Sequence, residues 1–168
     1  MTSLISSLRL LLLGIWLGAA IFFGAAVAPN VFGVLRSSGL ANANELAGGI
    51  VTRLLAIINP AGLEIALFLF ITALFLHRHR KTVERVAEMI SIAIMAIMTG
   101  VSHWIISARM QELRRSMAAP IDQIAPTDVR RIEFDSLHRY SVIFMAVAMI
   151  AALVAFFISA RAARAGGK

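Results

Sequence analysis

Four stretches of this chain are each long enough to cross a lipid bilayer and carry almost no charge. No charged residue falls between Arg9 and Arg36, and Leu54–Leu76 holds only Glu64. Met89–Ala108 has only His103 as an ionisable group, and Tyr140–Ala160 carries no charge at all. A helix needs about 20 apolar residues to span roughly 30 Å of hydrocarbon. Isolated strands would leave their backbone groups unsatisfied there. The four windows therefore predict an all-α, integral membrane four-helix bundle running up-down-up-down. The expected organisation is a single domain over residues 1–168, with helices over about 9–35, 53–77, 86–116 and 128–160.

Composition agrees: 60% of residues are hydrophobic and 15% charged, against about 25% charged in soluble domains. The first window has some features of a secretory signal, with Arg9 ahead of an apolar core and "AVA" at 26–28. Pro29 follows at once and the apolar run continues to Leu35, so the window reads as a retained helix. With no cysteine in the chain, disulfides, thiolate nucleophiles and Cys-based metal sites are excluded. The net charge of +7 sits mostly beside apolar spans. Anionic lipid headgroups are the expected partner, and nucleic acid is not.

The segment "HRHRKTVER", residues 77–85, concentrates Arg78, Arg80, Lys81 and Arg85 between the second and third windows. Arg161, Arg164 and Lys168 follow the fourth. With an even number of spans these groups and both termini share one side. The positive-inside bias makes that side cytoplasmic, in a cell (inner) membrane. The connection between windows three and four is also rich in arginine, at Arg109, Arg114, Arg115, Arg130 and Arg131, but interleaves acids. Pro120 and Pro126 break it, and Thr127 or Asp128 is placed to cap the helix that follows.

Small residues recur along the first window at Gly14, Gly18, Ala20, Gly24 and Ala28, a pattern that favours close helix packing. Pro60 is expected to kink the second helix. Polar residues within the windows share a depth: Pro29 and Asn30, Asn59, Thr99, Ser102 and His103, then His138 and Ser141 all fall in the half remote from the termini. Glu64 lies just beneath them. That agreement predicts a polar pocket in the outer half of the bundle, with Glu64 as a buried counter-charge. His138 and His103 would be ligands or proton acceptors, and Ser141, Asn59 and Thr99 would orient them.

Such a pocket suits several chemistries. Two imidazoles with the Met145 thioether would make a soft-to-borderline metal site at His138, His103 and Met145. Titration of Glu64, His103 and His138 would make a proton relay. Haem b would need His103 and His138 as facing axial ligands, and a quinone-linked redox role is a related alternative. The structural reading is that these groups only satisfy one another across the bundle. No Gly-rich phosphate loop or nucleophile–base motif is present, so no enzymatic activity is expected and no cofactor is assigned. The leading expectation is a protein that binds, and helps to move, a small solute or soft metal ion. Self-association into a homo-oligomer is left open.

The chain resembles the transmembrane-protein-205-like family of four-helix membrane proteins, whose bacterial members carry a domain of unknown function. The resemblance rests on Trp16, Gly18, Phe22 or Phe23, and "VAPNVF" with Pro29 and Phe32, then on Phe134, His138 and Ser141. Where the family often has Asn four residues after that serine, this chain has Met145. A more distant similarity is to copper-resistance D-type membrane proteins, whose metal-linked histidines are not evident here. Animal relatives are linked to platinum-drug resistance, so the resemblance implies metal or small-molecule handling, metal resistance among its forms.

Overall fold

The computed structural model describes residues 2–76 and 82–165. Four helical rods are long and apolar enough to cross a membrane: Leu4–Ser37, Ala43–Phe75, Thr82–Ser116 and Val129–Arg164, called spans 1 to 4 below. Span 1 comprises α1 (Thr2–Phe22), a wide π turn (Phe23–Val27) and α2 (Ala28–Ser37). Span 2 is α3 (Ala43–Leu76). Span 3 comprises α4 (Thr82–Val101), a second π turn (Ser102–Ile106) and α5 (Ser107–Ser116), and span 4 is α6 (Val129–Ala165). The architecture is all-α, an up-down-up-down four-helix bundle. Most of segment 77–85, including Arg78, Arg80 and Lys81, lies outside the described residues, as does Lys168.

The spans form a square ring: α1 packs on α3 and α6, and α4 packs on the same two helices. The core draws on all four, with Leu13, Trp16, Leu17 and Ala20 from α1 meeting Leu69, Ile92, Met95 and the Ala148–Ala151–Ala152–Ala155 ridge of α6. Small side chains on α6 let the backbones approach where lipid offers no hydrophobic drive. Only 22% to 33% of each span's most apolar window is buried inside. Phe22, Ile57, Phe75, Trp104 and Phe157 point outward. Apolar surface on that scale facing away from the core belongs against hydrocarbon rather than water.

Three features differ from the sequence expectation, each for a physical reason. Ala43–Thr52 reads as a polar connection but forms the first turns of α3, because its polar face is covered by the connection between spans 3 and 4. Gly39, at φ +72°, ends α2 just after Ser38, the left-handed position that glycine takes without penalty. Of the small-residue stripe of span 1, Ala20 packs in the core, but the glycines are not close-packing positions. A side chain at Gly18 or Gly24 would meet nothing within 4 Å, and one at Gly14 would meet only Phe156 at 3.7 Å. The close approach is made at Gly62 instead. A Cβ there would lie 2.6–2.9 Å from the Trp16 ring, whose indole N–H donates to the Ile58 carbonyl at 2.9 Å. That contact ties α1 to α3 within a turn of Pro60, and α3 runs through Pro60 as one helix.

The connection between spans 3 and 4 closes the end of the bundle remote from the termini, the distal end. Leu113, Met117, Ile121 and Phe134 form a small second core beneath it. The Asp122 carboxylate accepts the Glu45 backbone N–H (3.1 Å) and the Asn44 amide, and so caps α3 from outside. In return Glu45 accepts the Ile121 N–H at 3.4 Å. Of the two expected caps for α6, Asp128 serves, accepting the Arg130 N–H at 2.8 Å. The Arg130 side chain, then that backbone hydrogen bond, holds the Asp128 carboxyl down at about 2.

Candidate binding cavity and a buried polar node

Span 1 does not run straight. Pro29 has no N–H to donate, and its ring collides with the carbonyl four residues back. The helix widens into the π turn immediately before it, and the Asn30 side chain supplies a donor to the Ala26 carbonyl at 2.7 Å. Beyond this break α2 stays on α3 and leaves α6. A cavity of about 620 Å³ opens between them, within the usual range for a small-molecule site.

Its two walls change character together. Along α3 the lining runs Asn44, Gly48, Thr52 and Leu55, spaced by four, four and three and hence on one helix face. Along α6 it runs Arg131, Phe134 and Asp135, His138, Ser141, Met145 and Met149. The α3 wall passes from polar, and the α6 wall from charged, at the distal end to apolar within the bundle. Phe23 and Phe32 of span 1 and Met110 of α5 complete the apolar surface.

The cations at the rim are unequally engaged. Arg131 is bonded to the Ile124 carbonyl and lies 4.0 Å from Asp135. Arg36 donates to Asn44 at 2.7 Å and lies over the Phe32 ring, and it pairs with no carboxylate among the described residues. Arg114 rests on the Gly48 backbone, where any side chain would displace it. Its guanidinium lies 5.1 Å from the Phe134 ring centre and 3.8 Å from Glu45. Its buried Nε makes no hydrogen bond.

The residues singled out from sequence divide into three groups. His138, Ser141 and Met145 line the cavity. Asn59, Thr99 and Ser102 are buried in the bundle and do not. Asn59 donates to Ser102 at 3.4 Å, and Thr99 donates to the Met95 carbonyl of its own helix at 2.8 Å. His103 and Glu64 belong to neither set. His103 stands edge-on to Trp104 at 4.9 Å, and Glu64 is exposed on the outside of α3. The expected grouping of His138, His103 and Glu64 in one pocket is therefore corrected, and with it the triad of His138, His103 and Met145 as metal ligands. Among the described residues no three His, Asp or Glu side chains gather as a metal site would require.

The buried carboxylate is Glu88, which sequence reasoning passed over, and it meets Arg9. The Arg9 guanidinium donates to Glu88 at 2.8 Å, to the Leu69 carbonyl at 2.6 Å and to Thr72. Ser159 donates to the same Glu88 oxygen at 2.5 Å. Arg9 is 1% exposed and Glu88 0%. One residue from each of spans 1 and 3 thus bridges the ring diagonally, while spans 2 and 4 supply the remaining bonds. Buried charges in a membrane bundle are paired in this way because isolation there is prohibitively costly.

Fold and site together define an integral membrane four-helix protein with a polar-mouthed cavity at one end and a buried ion pair toward the other. The chain belongs to the family described as a domain of unknown function, DUF4149, whose pattern matches residues 11–119. That match supports the family of unknown function and not the narrower transmembrane-protein-205-like assignment. It ends before Phe134, His138 and Ser141, on which half of that resemblance rested. No curated protein and no solved structure matches the chain.

Proposed function

We propose that this protein is a cell-membrane binding protein whose distal cavity takes up an apolar or amphiphilic small molecule from the surrounding bilayer. The observation that carries this reading is the cavity itself, which is of small-molecule size and grades from a charged rim to a Phe- and Met-lined floor. Within it His138 and Ser141 offer hydrogen bonds below the rim, while Met145 and Met149 serve as apolar, adaptable surface. The dispersal of His103, His138 and Glu64 favours a solute over a soft metal ion, and over a haem held by the two histidines. Both termini are cytoplasmic in this proposal, anionic headgroups meet the 77–85 segment, and the cavity opens on the outer side.

Ala146 lies among the lining residues, so Ala146→Trp would fill the cavity from α6. Protein purified in mild detergent is expected to carry small apolar molecules in native mass spectra, and the variant to lose them while still folded. Equal ligand content in the two, or one metal ion per chain by elemental analysis, would count against the reading.

A further inference from the structure

We infer that the ligand of this cavity is a single-chain amphiphile with an anionic head, a carboxylate or a phosphate, seated between Arg36 and Arg114. The inference rests on the cavity being a binding site, as proposed above, and adds the chemical class. Four observations converge on it.

The first is charge. Three arginines line the rim against two acids, Asp122 and Asp135. Both Asp122 oxygens already accept donors at the start of α3, and Asp135 lies against Arg131. That leaves Arg36, which pairs with no carboxylate among the described residues, and Arg114, which faces Glu45 at 3.8 Å without a hydrogen bond, as the cations with hydrogen-bonding capacity to offer.

The second is spacing. Arg36 is held at Asn44 and Arg114 at Gly48, consecutive turns on one face of α3. Neighbours four apart on a helix have Cβ atoms about 5–6 Å apart, so the two arginines are anchored one turn apart along the same α3 wall of the cavity. Planar, weakly hydrated guanidinium groups suit carboxylate and phosphate geometry.

The third is the buried Arg114 Nε, which makes no hydrogen bond and, among the described residues, has only the Glu45 carboxylate near it, at 3.8 Å. Such groups are rarely left unpaired, and an anionic oxygen at the rim would satisfy it.

The fourth is shape. From Arg131 to Met149 the α6 wall is about 27 Å long at the helical rise. A cavity of about 620 Å³ is of small-molecule size, which suits one extended alkyl chain rather than the bulk of a two-chain phospholipid. The head lies at the charged rim and the chain descends past Leu55 toward Met145 and Met149.

The test uses the full-length protein in phosphatidylcholine nanodiscs. Binding of radiolabelled hexadecanoate is measured, with hexadecyl phosphate, hexadecanol, phosphatidylglycerol and inorganic phosphate as competitors. Hexadecanoate and hexadecyl phosphate are expected to bind at least about tenfold more tightly than hexadecanol, the range for a charge-assisted hydrogen bond. Inorganic phosphate is expected not to compete. Arg36→Gln and Arg114→Gln should each weaken hexadecanoate about tenfold or more, leave hexadecanol unchanged, and regain part of the affinity as Arg36→Lys and Arg114→Lys. Arg36 pairs with no carboxylate among the described residues, so its variant keeps the test valid even if Arg114→Gln misfolds.

Equal affinity for hexadecanol and hexadecanoate, with the arginine variants silent, overturns the anionic head but leaves the cavity reading standing, provided Ala146→Trp abolishes both. Competition by phosphatidylglycerol as strong as by hexadecyl phosphate overturns the single chain. Arginine-dependent competition by inorganic phosphate overturns the amphiphile. Binding that Ala146→Trp leaves untouched removes the cavity reading itself.

Discussion

Arg9 and Glu88 show how much a single pair of residues can hold in place. Each alone would be a charge stranded in a medium that solvates it poorly, and their mutual bond with Leu69, Thr72 and Ser159 makes burial tolerable. Removing one partner of a buried pair typically costs about 3–5 kcal/mol, whereas replacing both by apolar groups is often close to neutral. Arg9→Met and Glu88→Met are therefore each expected to lower unfolding stability in micelles by about that amount, and the double variant by less than either single. Additive losses in that cycle would mean that the two side chains act independently. The pair was legible in part. Glu88 precedes Ser91, Met95, Thr99 and Ser102 at spacings of three, four, four and three, on the same buried face. It was passed over because it stands just outside an apolar window. Glu64 was misread for the complementary reason: depth says nothing about which way a helical residue faces. Asn59, Gly62, Ala66, Leu69 and Ala73 mark the buried face at spacings of three and four, and Glu64 stands two positions from Gly62 and Ala66, on the opposite side.

At the scale of the element, the helices were legible where hydrocarbon dictated them and obscure where they rise above it. Ala43–Thr52 has too little apolar periodicity to announce a helix, and its stability comes from Asp122 and the covering connection, a long-range partner no local pattern encodes. The π turns are legible in retrospect at Pro29, and less so at Ser102, where the Ser107 hydroxyl donates to the Ser102 carbonyl at 2.9 Å. Gly62 decides how closely α1 and α3 approach. Exchanging glycine for alanine inside a helix ordinarily gains up to about 1 kcal/mol. Here the added methyl would press on the Trp16 ring, a rigid group already fixed by its bond to Ile58, and overpacking costs about 1–3 kcal/mol. The clash outweighs the propensity, so Gly62→Ala is expected to lower the melting temperature, and Gly62→Ala with Trp16→Phe to recover part of the loss. A rise in melting temperature for Gly62→Ala alone would show that the ring has room to move.

For the whole molecule, the open quantity is which way the bundle faces, since that decides whether the cavity samples the outer or inner leaflet. Counting basic residues alone leaves the two sides close, because the distal connection is rich in arginine. In the folded chain Arg109 is bonded to Glu133 and Glu112, Arg130 to Asp128, and Arg131 lies near Asp135, so these arginines hold the distal cap together. Acids count little in the positive-inside rule, so the proposed orientation rests on the density of basic residues in segment 77–85 with Arg161 and Arg164. The absence of cysteine makes the question direct to answer. Leu40 is 48% exposed in the connection between spans 1 and 2, so Leu40→Cys is expected to react with a membrane-impermeant maleimide on intact cells. Gly167→Cys, near the C-terminus, should react only after the membrane is opened. The reverse pattern would turn the arginine-lined mouth toward the cytoplasm and require any ligand to enter from that leaflet.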